Sequence, residues 1–145
     1  MSRIALSLLV LFLCLVQLIA AAPVDANVTS VVEDLEKRVT HTGRGTWYYV
    51  DQNRGNCGYM DVNSSPVVAI SKKRYDANNG DNCNQWVQIT NLANGKVAYG
   101  KTRDSCESCN TESIDMSPSL FSKIAKQSTG QIQVSWHFMA KGWKP

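Results

Sequence analysis

An apolar run near the start of the chain decides the conditions under which the rest must fold. Ile4 to Ile19 is broken only by Ser7 and Gln17, follows the positive charge of Arg3, and leads into Ala20, Ala21 and Ala22. Charge, apolar stretch and small residues in that order make a secretory signal peptide, residues 1–21, with cleavage expected after Ala21. The run is marginal for a membrane span. Export sends the chain, as a secreted extracellular protein, to an oxidising compartment where cysteines pair. Residues 22–38 carry Asp25, Glu33, Asp34 and Glu36 and end in Lys37-Arg38. The dibasic pair reads as a kexin-type processing site closing a propeptide; the plainer alternative is a solvated linker.

Val39 to Pro145 then forms a single domain of 107 residues (145 less 38), with 12 Lys+Arg against 8 Asp+Glu and a net charge of +4. Over all 145 residues the chain is 43% hydrophobic and 19% charged, a composition that supports a core. The weak positive charge names no partner, and no basic run with interleaved aromatics speaks for nucleic acid. His41 and His137 are too few and too far apart for a metal cluster, and no glycine-rich phosphate cradle is present. No metal and no cofactor is expected.

Cys14 leaves with the signal peptide, so Cys57, Cys83, Cys106 and Cys109 remain. Four cysteines in an exported domain allow three pairings. Cys106-Glu-Ser-Cys109 could in principle be a redox pair or half of a zinc site. The first wants a βαβ context and the second another close pair, and neither is present. The preferred reading is two structural bridges, Cys57–Cys83 and Cys106–Cys109.

Period-two and apolar patterns predict short strands at Thr46–Val50, Pro66–Ile70, Gln85–Thr90, Lys96–Thr102 and Gln131–Phe138. Asn94-Gly95 is a hairpin signal between the third and fourth. Ser117-Pro118 starts a helix with Leu120, Phe121, Ile124 and Ala125 on its apolar face, ended by Gly130. Five or six strands, one helix and many turns suggest a small closed barrel. Asn27 and Asn63 head N-glycosylation sequons; the first leaves with a propeptide, the second sits in a surface loop.

Five motifs in order then carry a resemblance: G-R-G-T-W-Y (43–48), G-N-C-G (55–58), D-S-C-E-S-C (104–109), I-D-M-S-P-S-L-F (114–121) and G-Q-I-Q-V-S-W (130–136). Together they resemble the rare-lipoprotein-A-like double-psi β-barrel of small secreted fungal proteins related to expansins, loosenins above all. The resemblance implies a mainly β, six-stranded double-psi barrel with one or two short helices. It also implies a shallow polysaccharide groove, for cellulose, chitin or a related glucan, on a monomer. It matches Asp115 to the aspartate that expansins need for wall loosening and that is the general acid of related endoglucanases. Asp104 matches a second groove aspartate, and Thr46 and Tyr48 match groove residues of the first strand. Aromatic rings pack on sugar faces, and the candidates are Tyr48, Tyr49, Tyr59, Trp86 and Trp143. Trp136 is expected in the core; Trp86 is split between core and groove.

Hydrolysis with inversion needs two carboxylates flanking the bond. The endoglucanases put their base near the first strand, where this chain offers only Asp51 in a turn-like stretch. The expectation is therefore non-lytic loosening of a bound chain. For Asp115 the residue chemistry alone favours a helix-capping role just before Ser-Pro. Two other functions stay open: a barwin-like protease inhibitor or effector acting by protein binding, and a weak glycan-cleaving enzyme. No flavin motif supports an oxidase, and Asn84 or Gln85 stands where a transglycosylase pattern wants a histidine.

Overall fold

The computed structural model describes residues 39–145. The signal peptide, the acidic segment ending in Lys37-Arg38, Cys14 and the Asn27 sequon lie outside the described residues. In chain order the elements are β1 (His41–Trp47), β2 (Val67–Ser71), α1 (Lys72–Ala77), β3 (Trp86–Asn91) and β4 (Val97–Cys106). Then come β5 (Ile114–Met116), α2 (Pro118–Ser122), a 3-10 turn at Gln127–Thr129 and β6 (Ile132–Phe138). The six strands close in the order β1-β5-β2-β4-β3-β6. β1 with β5 and β2 with β4 run parallel; the other pairs are antiparallel. This is the mainly β, six-stranded double-psi barrel with two short helices that the motifs imply.

Alternation fills the barrel. Ile132, Val134, Trp136 and Phe138 of β6 point inward beside Val87 and Ile89 of β3 and Val68 and Ile70 of β2. Burying each such side chain contributes roughly 1.5–3 kcal/mol. Both bridges are present, Cys57–Cys83 and Cys106–Cys109, closing loops of sequence separation 26 and 3. The longer loop gives up more unfolded-state entropy, worth about 3 kcal/mol.

Several elements depart from the sequence reading, each for a physical reason. First, β1 begins at His41, not Thr46, and ends at Trp47. Gly43 lowers strand propensity, but the fold requires it: a Cβ there would sit 2.2 Å from the Glu112 carbonyl oxygen. Second, the helix at Ser117 has the expected cap, with the Ser117 hydroxyl accepting from Leu120 N, yet it stops at Ser122 instead of reaching Gly130. The Ile124 carbonyl accepts the side-chain amides of Asn91 and Asn94 at 2.9 and 3.0 Å, so it is claimed away from any further helical turn. Gly130, at φ 69°, closes the 3-10 turn instead. Third, α1 carries no buried residue, so no apolar period announced it; its start is set by Ser71, whose side chain accepts from Arg74 N.

Candidate functional site

β5 is three residues long and lies between β1 and β2, which fixes the centre of the site. Asp115 pairs with Thr46 on one side and Ala69 on the other, and Ala69 also pairs with Asp104 of β4. Thr46, Asp115, Ala69 and Asp104 thus form one row across four strands, side chains on the outer face. Tyr48 folds over the middle of that row and packs with Ala69 and the Cys106 and Cys109 side chains.

Asp104 reaches this face through an irregularity. The β2–β4 register shifts between Val68 and Ala69: Val68 pairs with Thr102 and Ala69 with Asp104. Arg103 is therefore an extra residue, a bulge. Ahead of it Ala98, Gly100 and Thr102 are the buried, inward positions of β4. After it the phase inverts, and Asp104 and Cys106 face out.

The two carboxyl groups sit in different surroundings. Asp115 accepts the Thr46 hydroxyl at 2.8 Å. Burial holds its carboxyl above the usual carboxylate range, against the Thr46 and Met116 hydrogen bonds and the Arg44 charge, which lower it; Asp104 adds a smaller upward push. Asp104 has its oxygens taken. One accepts Asn56 N and Ser105 N, both at 2.8 Å, and the other accepts the Tyr48 hydroxyl at 3.0 Å. Burial, then the Asp104 charge and hydrogen bond, push the Tyr48 phenol far upward, so it stays a neutral donor. Gly55 makes room for the loop that brings Asn56 in: a Cβ there would lie 2.5 Å from the Arg103 carbonyl oxygen.

From Tyr48 and Asp104 a hollow continues past Val50, Tyr59, Val67 and Arg103. It shares Asp61, Val67 and Arg103 with a cleft of ≈ 220 Å³ that Ser65, Pro66, Trp86 and Lys101 complete. The Arg103 guanidinium lies 3.4 Å from the Tyr59 ring centroid and grips Asp61 through Nε at 3.0 Å and a terminal nitrogen at 3.2 Å. Neither Arg103 nor Asp61 stands out in the sequence: the pattern ends the fourth strand at Thr102, and Asp61 lies in a loop with no periodic signal. Continuing it to Cys106 would have put Arg103 beside Asp104.

Of the sequence-derived candidates, Asp115, Asp104, Thr46, Tyr48, Tyr59 and Trp86 line this one surface. Tyr49 does not join them; its ring stands edge-on to Trp47 at 5.5 Å. Asp115 is a strand residue, and the helix cap is Ser117, so the capping role is corrected. Asp51 lies in an exposed turn with its oxygens held by Gln52 and Asn63. Among the described residues no three His, Cys, Asp or Glu side chains converge as metal ligands.

No family model matches the chain. It is 33% identical over 103 residues to the papain inhibitor of Streptomyces mobaraensis, covering 68% of this chain and 71% of that one. The chain belongs to the family of that inhibitor. The solved structure of Streptomyces papain inhibitor superposes with a TM-score of 0.62 at 30% identity, covering 70% of this chain and 96% of the other. Expansin-like protein 1 of Dictyostelium discoideum is 29% identical over 102 residues, which is 63% of this chain and 35% of that protein. The chain thus spans about a third of that relative. A mutant Clavibacter michiganensis expansin in complex with cellohexaose shares the fold, with a TM-score of 0.62 at 22% identity over 74% of this chain and 54% of that one. The chain thus shares its barrel with an expansin and has an expansin-like protein among its sequence relatives.

Proposed function

We propose that this is a secreted expansin-like protein of loosenin type, which holds a cell-wall polysaccharide, cellulose or chitin, in the groove from Asp115 to Trp86 and loosens it without cutting. The observation that carries the reading is the inequality of the two aspartates. Asp104 stands two strand spacings from Asp115, on the order of 10 Å between backbones. That leaves room for the roughly 6.5–9.5 Å carboxyl separation of an inverting pair. Yet Asp104 spends three of its roughly four acceptor sites on fixed donors, two of them backbone, so its carboxylate is tied into the fold, whereas an inverting base keeps its oxygens free to orient water. Asp115, protonated more readily than a solvated carboxyl, can exchange hydrogen bonds with a sugar hydroxyl. The expansin-like relative and the cellohexaose-bound fold neighbour support a glycan as the ligand. A glycan at Asn63 is compatible with export: its Nδ2 gives one hydrogen to Asp51, leaving the other position for attachment. Pull-down on cellulose, chitin and peptidoglycan with a reducing-end assay tests the reading. Binding without released sugar is expected; steady release of soluble sugar would sink it.

A second reading, inhibition of a papain-type protease, is favoured by the inhibitor relative and by one surface. Tyr59, Met60 and Val62 are 41%, 56% and 56% exposed on a loop that is otherwise held down. Cys57–Cys83, the bond from Gly55 N to the Tyr59 carbonyl and the Arg103–Asp61 pair fix it from both ends. A rigid loop loses little entropy on entering a cleft. If the chain inhibits papain, Met60→Asp with Val62→Asp should raise the inhibition constant at least tenfold while polymer binding is unchanged. Equal inhibition by this variant removes the loop from the account.

A further inference from the structure

The outer face of the β4-β3-β6 sheet carries a cluster that begins at the groove residue Trp86 and continues beyond the groove to Tyr99 and Trp143. Trp86 and Lys101 are cross-strand partners, as are Gln88 and Tyr99, and Gln88 also faces His137 of β6. The Tyr99 hydroxyl donates to the Gln88 side-chain oxygen Oε1 at 2.9 Å. The C-terminal segment folds back onto this face. Met139 N donates to the Trp86 carbonyl, and Trp143 N to the Ala140 carbonyl. Lys141 pairs with Asp81 at 2.7 Å. Trp143 thereby arrives 5.0 Å from the Tyr99 ring, inclined by 39°, and 6.4 Å from Trp86, nearly perpendicular to it. Each of the three aromatic side chains keeps part of its surface in solvent.

We propose that Trp143, Tyr99 and Trp86 form a second glycan subsite, a stacking platform that receives the part of a β-linked hexopyranose chain running out of the groove. The proposal rests on the groove reading above and extends it. Continuity selects the occupant, because Trp86 lines the ≈ 220 Å³ cleft at the groove's end and also touches Trp143. The surroundings fit a sugar: Gln88, Lys101 and His137 offer polar groups to hydroxyls beside rings that take the apolar C–H faces. A chain that only fills the groove gains nothing from Trp143. A longer one adds ring contacts worth about tenfold in affinity.

The test compares cellotriose and cellohexaose by calorimetry on the wild type, Trp143→Ala and Trp143→Tyr. The platform requires cellohexaose to bind wild type about tenfold more tightly than cellotriose. Trp143→Ala should erase that gain, leave cellotriose unchanged and keep the melting temperature. Trp143→Tyr should restore most of the gain, since it returns a ring. If Trp143→Ala keeps the full gain, or weakens both ligands alike, the platform is wrong while the groove reading survives. If the wild type binds neither these sugars nor chitotriose and chitohexaose, groove and platform fall together.

Discussion

Trp136→Ala should destabilise the barrel by about 3–5 kcal/mol, the usual cost of emptying a large buried aromatic site. Trp136 is 1% exposed at the centre of β6. Its ring lies 4.3 Å from His41 and 5.4 Å from Phe138, and its Nε1–H donates to the Glu112 carbonyl at 2.8 Å. The substitution removes the ring from the barrel and leaves that carbonyl without its donor. For a domain of this size the loss corresponds to a fall in melting temperature on the order of 15–30 °C. Denaturant unfolding of both proteins measures it. Trp136→Phe separates the contributions: most of the packing returns, and the remaining deficit of about 1 kcal/mol is the missing hydrogen bond. An alanine variant within about 1 kcal/mol of wild type would mean that β6 does not hold the barrel as described.

Asp115→Asn should abolish polymer loosening while the melting temperature stays within a few degrees. Asparagine has the shape of the acid and keeps an oxygen for the Thr46 hydroxyl, so the β1–β5–β2 pairing has no reason to change. What disappears is the capacity to hold and exchange a proton. The sign of the pH dependence follows from the raised position of Asp115. The folded state keeps this proton at pH values where the unfolded chain, near 3.8, has released it. Between the two, the folded state binds more protons, so this residue's contribution to stability falls as pH rises through the folded value. Above that window wild type bears the cost of a partly buried charge. Asp115→Asn bears none, so its melting temperature should gain on wild type as pH climbs from about 4 toward neutrality. Loosening by wild type should decline over the same range. A variant that still loosens polymer fully, or that unfolds, would take Asp115 out of the site. A melting-temperature difference independent of pH would contradict the buried, proton-retaining carboxyl.

The inhibitor and loosenin readings share Tyr59 and Asp61, and they are separated at Met60 and Val62, which belong to the loop and do not line the hollow or the cleft. Loosening depends on the row from Thr46 to Asp104, backed by Ala69. The inhibitor reading depends on the convex Tyr59–Val62 loop. Arg103 connects the two, since it stacks on Tyr59 and pairs with Asp61 while standing at the bulge of β4 and lining the cleft.

By itself the sequence determined the barrel's inner face and the two bridges, while the groove residues were proposed from the motifs' resemblance. Strict alternation in Ile132–Phe138 can bury only one set of side chains, and Ser117-Pro118 can start a helix at only one place. Those signals are local, and local physics reads them. The same period-two logic fails at Asp104. Carried on from Ala98, Gly100 and Thr102, it would turn this carboxyl into the apolar interior. The bulge at Arg103 inverts the phase and delivers Asp104 to the outer face, where Tyr48, Asn56 and Ser105 satisfy it. Nothing in Lys101-Thr-Arg-Asp104 announces that bulge. It arises where β4 pairs in parallel with β2, thirty-odd residues earlier in the chain. The register of a parallel pair is set by contacts across the barrel, which only the closed tertiary structure brings together.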